Sequence, residues 1–184
     1  MPNLILTSAG FDNKKIEEKF LEMVKISSDE IKVMFIPTAA ITEEQKAIVP
    51  LCKNDLLNAG VLERNIITYD LDRIISCEEI CNFNAIYVCG GNTQHLLNKI
   101  NDTEFYVPLK EFLDNGGVYV GVSAGSIVAA KNLPNNLGYI NCTLSVHCKD
   151  GTECGQVDTS ECPNIKLTNN QAIIIIDSYI SIIE

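Results

Sequence analysis

The residues Gly121-Val122-Ser123-Ala124-Gly125 follow the pattern of a nucleophile elbow, in which a serine sits on a tight strand-to-helix turn and offers its hydroxyl at the edge of a sheet. Glycine is needed on both sides, because the chain reverses so sharply that a side chain there would meet the neighbouring strand or helix. A serine hydroxyl is a poor nucleophile until a base takes its proton, and histidine is the usual base. The chain has two histidines. His147 follows Ser123 by 24 residues at the end of a predicted strand, in the order serine then histidine, and is the expected base. His95 lies in the first helical turn after Gly90-Gly91-Asn92-Thr93, off the apolar face of Leu96, Leu97 and Ile100. It reads as a rim residue, with substrate contact as the alternative.

The double glycine Gly90-Gly91 supplies a third part. Backbone N–H groups without side-chain cover at a strand-to-helix turn can receive a developing oxyanion, and the N–H of Ala124, next after the serine, is the natural second donor. The double glycine Gly90-Gly91 and Ala124 are therefore the expected donors to an oxyanion. Gly90 and Asn92 are the expected substrate contacts.

These residues need a scaffold of strands that end at one edge. Short apolar runs at Leu4-Ile5-Leu6, Ile31 to Ile36, Asn65 to Tyr69, Ala85 to Cys89 and Val118 to Val120 read as strands. Between them, Ile16, Phe20, Met23 and Val24 recur at helical spacing, and Thr42-Glu43-Glu44-Gln45 starts a capped helix that runs to Gly60. A short helix is predicted near Cys77 to Ile80, one carrying Leu96, Leu97 and Ile100 follows Thr93, and another spans Phe105 to Leu113. After the elbow, Ser126 to Lys131 is a small helix-compatible run. Strand-helix alternation with near-continuous apolar strands implies an α/β fold with a parallel sheet covered on both faces. From Asn132 to about Thr168 the sequence turns polar, broken by a predicted strand at Thr143 to His147, and Ala172 to Asp177 and Tyr179 to Ile183 read as a closing pair of strands. No internal repeat or linker divides the chain, so residues 1–184 are expected to form a single α/β domain.

Composition narrows the function. With 184 residues, 46% of them hydrophobic, the chain is neither disordered nor low-complexity. Fourteen basic against 24 acidic residues give a net charge of −10, which repels phosphate backbones and anionic lipid. Nucleic acid and membrane are thus unexpected partners. No apolar run reaches the roughly 18 residues of a membrane span, and Met1-Pro2-Asn3 lacks the order of a signal peptide, which points to the cytoplasm.

Taken together, Tyr87-Val88-Cys89-Gly90-Gly91-Asn92-Thr93 with its following Leu-Leu helix, Gly117-Val118-Tyr119-Val120-Gly121-Val122-Ser123-Ala124-Gly125, and Leu167-Thr168-Asn169-Asn170-Gln171-Ala172-Ile173 resemble the dipeptidase E (aspartyl dipeptidase) and cyanophycinase-related family of serine peptidases. The resemblance spans most of the chain and is specific in its middle third. It implies a three-layer sandwich with a mostly parallel, flavodoxin-like sheet, similar to class I glutamine amidotransferases. It further implies Ser123 as nucleophile, His147 as base, the N–H groups of Gly91 and Ala124 as oxyanion hole, and a short peptide as substrate cleaved through an acyl-enzyme. Members similar to dipeptidase E place an acid between serine and histidine, whereas residues 124–146 contain no Asp or Glu. The group orienting His147 is then one of Asn132, Asn135, Asn136 and Asn141, or Asp150, Glu153, Asp158 and Glu161 from downstream. Arg64 and Arg73 are the only arginines and lie far from the elbow in sequence, so the family's aspartate selection does not carry over.

The eight cysteines divide into two groups. Cys52, Cys77, Cys81 and Cys89 lie in or beside apolar segments and are expected to be buried free thiols. Cys142, Cys148, Cys154 and Cys162 cluster around His147 at spacings that match no compact zinc motif, so no metal or cofactor is expected. The principal alternative to a serine hydrolase is a catalytically impaired relative that keeps the cleft as a small-ligand binding module. A glutamine amidotransferase-like enzyme is disfavoured because the elbow holds serine instead of cysteine. A homodimer is left open.

Overall fold

The computed structural model describes residues 2–184, so Met1, where the N-terminal reading begins, lies outside the described residues. The apolar runs form strands β1 (Asn3–Thr7), β2 (Val33–Ile36), β3 (Ile66–Thr68), β4 (Ala85–Val88) and β5 (Val118–Val122). All pair in parallel, in the spatial order β3-β2-β4-β5-β1. Their side chains alternate between two cores: Leu4, Leu6, Met34, Ile36, Ile86 and Val88 face one layer, while Ile5, Val33, Phe35, Ala85 and Tyr87 face the other. A strand buried on both faces needs apolar residues at every position, which is why the runs of β1, β2, β4 and β5 are continuous instead of alternating, whereas the edge strand β3 leaves Ile67 and Thr68 exposed.

Helices cover each face. Helices α1 (Lys14–Val24) and α2 (Glu43–Asn58) pack on one side through Ile16, Phe20, Met23, Cys52 and Leu56. Helices α3 (Cys77–Ile80), α4 (Thr93–Asp102), α5 (Tyr106–Asp114) and α6 (Ala124–Ile127) lie on the other, led by Leu96, Leu97, Ile100, Leu109 and Phe112. The fold is thus mixed α/β with a mostly parallel central sheet between two helical layers. The start of α2 carries the expected capping box: Gln45 N–H donates to Thr42 Oγ1 at 3.2 Å, and Thr42 N–H donates to Gln45 Oε1 at 3.1 Å.

The second part of the chain departs from the sequence reading in several places. The run Ser126 to Lys131 is not a helix of its own: α6 begins at Ala124 and ends at Ile127, and turns follow. The predicted strand at Thr143 to His147 stops at Ser145, as β6 (Thr143–Ser145), and releases His147 into a loop. Two short strands in the polar stretch escaped notice, β7 (Gly155–Gln156) and β8 (Asn164–Lys166), because two or three residues are too few to display a period. β8 pairs in parallel with β6 as a small second sheet. The closing strands β9 (Ala172–Ile176) and β10 (Tyr179–Ile183) form a hairpin across Asp177-Ser178, with Asp177 at φ 57°. A two-residue connection can join only antiparallel strands, so β9, β10 and β7 extend the main sheet beyond β1 in antiparallel fashion.

All eight cysteines are free thiols. Cys52 and Cys89 are buried as expected, but Cys81 is exposed and Cys77 only half-buried, since α3 is a single turn that buries Ile80 alone. Among the described residues no helix is long and apolar enough to cross a membrane.

Candidate active site

Strand β5 delivers Ser123 to the sheet's carboxyl edge, and the backbone there takes φ 49°, ψ −105°, a conformation L-residues seldom adopt. The flanking glycines have the steric role their positions suggested. A Cβ at Gly121 would stand 2.5 Å from Gly125 O, and one at Gly125 would stand 2.4 Å from Val88 O, both backbone atoms that cannot yield. The elbow is held from below as well: Ser123 N–H donates to Thr7 O at 3.0 Å, and the buried Ser126 hydroxyl lies 2.7 Å from both Thr7 O and Gly121 O.

Gly90 and Gly91 turn the chain between β4 and α4 beside this serine. A Cβ on Gly90 would come within 3.1 Å of Ser123 Cβ, and Gly91, at φ 143°, lies so close to Ala39 that a Cβ would stand 2.1 Å from its carbonyl oxygen. Among the described residues, neither the Gly91 N–H nor the Ala124 N–H donates to a protein acceptor. Both are therefore free to meet an anionic oxygen, the Ala124 N–H at the first turn of α6. Asn92 is otherwise engaged: its Oδ1 accepts from His95 N–H at 2.8 Å as the N-cap of α4, and it is not among the residues lining the cleft. The structure thus gives the Asn92 side-chain oxygen a capping role at the start of α4. His95 lies on a separate groove with Asp70, Asp72 and Lys99 and does not reach Ser123.

His147 does reach it. Its Nε2 lies 3.2 Å from Ser123 Oγ, and its Nδ1 lies 2.8 Å from Asn169 Oδ1. The parallel β6–β8 ladder makes this meeting possible, because it aligns Ser145 with Lys166 and carries the two residues beyond β6 alongside Leu167 and Thr168, next to Asn169. Leu167 N–H donates to Ser145 O and Cys148 N–H to Leu167 O, which clamps the loop on either side of His147, itself at φ 56°. Ser8, fully buried at the end of β1, completes the set: its Oγ accepts from His147 N–H at 2.6 Å and lies 3.3 Å from Asn169 Oδ1.

The side chain that meets Nδ1 of His147 is thus that of Asn169, not any of the eight residues weighed from sequence. Asn132 instead pins β6 through Leu144 O and Leu144 N–H, Asn136 bonds Leu133 O, and Asp158 caps its own turn at Ser160. Asn135, Asn141, Asp150, Glu153 and Glu161 make no hydrogen bond to His147. Ser8 and Asn169 both escaped the sequence reading as site residues. Ser8 ends a predicted strand at the edge where α/β sites gather, and Asn169 lies within a segment that carried the family resemblance, so each had a positional signal but no chemical one.

The site opens on a cleft of about 420 Å³ lined by Ser123, His147, Gly90 and Gly91, with residues of α2 along one wall. Beneath that wall Tyr87 is completely buried and donates its hydroxyl to Asp55 Oδ2 at 2.6 Å. Burial pushes the Asp55 carboxyl above its ordinary range, opposed by the hydrogen bonds from Tyr87 and Phe11. The Cys89 thiol is pushed up by burial and by its neighbour Cys52, so it stays protonated and is not a competing nucleophile. Among the described residues no group of three or more His, Cys, Asp or Glu side chains is arranged to hold a metal ion.

The model of peptidase family S51 matches residues 4–138, a span that includes Gly90, Gly91 and Ser123 but not His147 or Asn169. An uncharacterized peptidase of Listeria innocua is 33% identical over 135 residues, covering 72% of this chain and 62% of its own length. A peptidase E of Nostoc is 32% identical over 106 residues, covering 55% of this chain and 40% of its own. The chain spans 49–63% of the length of three such curated relatives. A crystal structure from Listeria monocytogenes EGD-e, of a protein named for peptidase E, superposes with a TM-score of 0.76 at 25% identity over 100% of this chain and 98% of that one. A peptidase from an acI-B1 actinobacterium, at 16% identity and a TM-score of 0.65 over 95% of this chain and 83% of its own, shares the fold.

Proposed function

The chain belongs to peptidase family S51, and from that premise we propose that it is a serine peptidase that cleaves short peptides through an acyl-enzyme on Ser123. One observation carries the reading: His147 bridges Ser123 Oγ and Asn169 Oδ1 with opposite ring nitrogens, at 3.2 and 2.8 Å. An amide oxygen accepts and cannot donate, so Nδ1 carries the ring proton and Nε2 presents its lone pair to the serine hydroxyl.

The steps follow from this arrangement. Ser123 Oγ attacks the peptide carbonyl as Nε2 takes its proton, and the negative charge that forms on the carbonyl oxygen is received by the N–H groups of Gly91 and Ala124. His147 then returns the proton to the departing amine, leaving the acyl group on Ser123. Water, deprotonated by the same nitrogen, releases the acid and restores the hydroxyl. A cleft of about 420 Å³ is the size of a small-ligand site, which favours a dipeptide-like substrate over a folded chain. The free state of all eight thiols supports a reducing compartment, and we place the enzyme in the cytoplasm.

A fluorophosphonate probe tests the nucleophile. The folded protein is expected to take one label on Ser123 at neutral pH, to lose it in Ser123→Ala, and to hydrolyse dipeptides detectable by mass spectrometry. An unlabelled Ser123 together with absent turnover would reject the peptidase in favour of a binding module.

A further inference from the structure

The walls of the cleft carry information about substrate that the reacting residues do not. Its surface is mainly apolar, with Ala9, Ile48, Val49, Leu51, Cys89 and Val122 in the lining, and its carboxylates are Asp12 and Asp55. Among the described residues no lysine or arginine lines it. An acidic side chain entering this space would exchange water for apolar neighbours and meet like charge, both unfavourable. An apolar side chain would gain, and would cover Ile48 and Leu51, which stand 55% and 61% exposed in the open cleft.

Asp55 is a built part of the wall. Its Oδ2 accepts from Phe11 N–H at 2.9 Å and from the Tyr87 hydroxyl at 2.6 Å, which fixes the carboxylate in place. Its Oδ1 has no hydrogen-bond partner among the described residues. An oriented, half-buried carboxylate that lines an apolar cleft and keeps one oxygen without a protein partner calls for a cation, and burial has already made its charge costly. The first residue of a free peptide brings such a cation, its α-ammonium, one bond from the carbon that bears the side chain.

We propose that the cleft selects peptides whose first residue has an uncharged apolar side chain, packed against the Ile48, Val49 and Leu51 wall, with the free α-ammonium held by Asp55 Oδ1. This rests on the peptidase reading and goes beyond it in naming the substrate class. A lysine side chain could reach the same carboxylates with its own ammonium. It would, however, draw a second charge into the apolar wall and leave only Asp12 for the other ammonium.

The test compares p-nitroanilides of leucine, phenylalanine, lysine and aspartate, and N-acetyl-leucine, on the full chain. Leucine and phenylalanine are expected to exceed lysine and aspartate in kcat/KM by at least about tenfold, and acetylation to raise KM by a similar factor. Aspartate or lysine equalling leucine, or N-acetyl-leucine equalling leucine, overturns the proposal. Asp55→Asn, which keeps the acceptor for Tyr87 and Phe11 but loses the charge, should raise KM for the leucine substrate and leave that for N-acetyl-leucine unchanged. Equal effects on both would also overturn it. Calorimetry on Ser123→Ala with leucinamide, lysinamide and aspartic acid α-amide reads the same preference without chemistry: tightest binding of leucinamide supports the proposal, and no binding or another order rejects it. Fluorophosphonate labelling reports on the peptidase reading alone, so a labelled protein with the wrong preference separates the two failures.

Discussion

His147 Nδ1 lies 2.8 Å from Asn169 Oδ1, so the imidazole at this site is oriented by an amide where a carboxylate would ordinarily stand. An amide in this position is hazardous, because its NH₂ end turned toward the ring imposes the wrong tautomer, at a cost of about 10⁴ in turnover for a Ser-His-Asp triad. Ser8 guards against that here. Its Oγ accepts from His147 N–H at 2.6 Å and lies 3.3 Å from Asn169 Oδ1 and 3.4 Å from His147 Nδ1. A hydroxyl hydrogen directed at Asn169 favours the amide oxygen over the NH₂ group as the end that faces the ring.

Asn169 can be changed in two directions. Asn169→Ala frees the ring to swing and is expected to lower kcat by about 10²-fold with little effect on KM, the scale of a catalytic group displaced by about 1 Å. Asn169→Asp adds a charge that stabilises the imidazolium formed during attack. A hydrogen bond to a charged group is stronger than a neutral one by about 1.4 kcal/mol, so kcat should rise roughly tenfold. Steady-state kinetics on both variants decide the point, and a kcat unchanged in Asn169→Ala would remove Asn169 from the mechanism.

Gly125→Ala should damage stability as well as activity. The added Cβ would stand 2.4 Å from Val88 O and 3.0 Å from Val88 Cβ, in the heart of the sheet where β4 cannot retreat. Overpacking of this kind costs about 3 kcal/mol, to be read from the denaturant midpoint at constant m-value. A midpoint equal to wild type would mean that the elbow has more room than these distances allow.

The pH dependence of stability reports on Asp55. Burial raises its pKa in the folded state, so the native protein binds this proton more tightly than the unfolded chain does. Its contribution to stability is therefore favourable at low pH and declines as pH climbs from the ordinary carboxylate range through the raised folded value. Asp55→Asn removes the dependence. Between about pH 4 and pH 7, the Tm of the variant should gain on that of the wild type as pH rises. A difference that stays flat or shrinks would show that Asp55 is not desolvated.

What was legible in the sequence is what depends on neighbours along the chain. The apolar runs of β1 to β5, the Thr42–Gln45 capping box and the glycines around Ser123 are each set by sterics or hydrogen bonds within a few residues, and each reads directly from residue type. Proximity of His147 to Ser123 was anticipated from chain order, but its partner was not. Asn169 stands 22 residues beyond His147 and Ser8 stands 139 before it. They meet only because β6 pairs in parallel with β8, while β1 pairs with β9 at Thr7 and Ala172 and brings Ser8 beside the loop that carries Asn169. Pairing at such range is set by the burial of whole sheet faces, to which a three-residue strand such as β8 contributes no period of its own. The amino-acid sequence determined the serine elbow and the sheet edge that bears it; the placing of an amide against the imidazole belonged to the packed sheets alone.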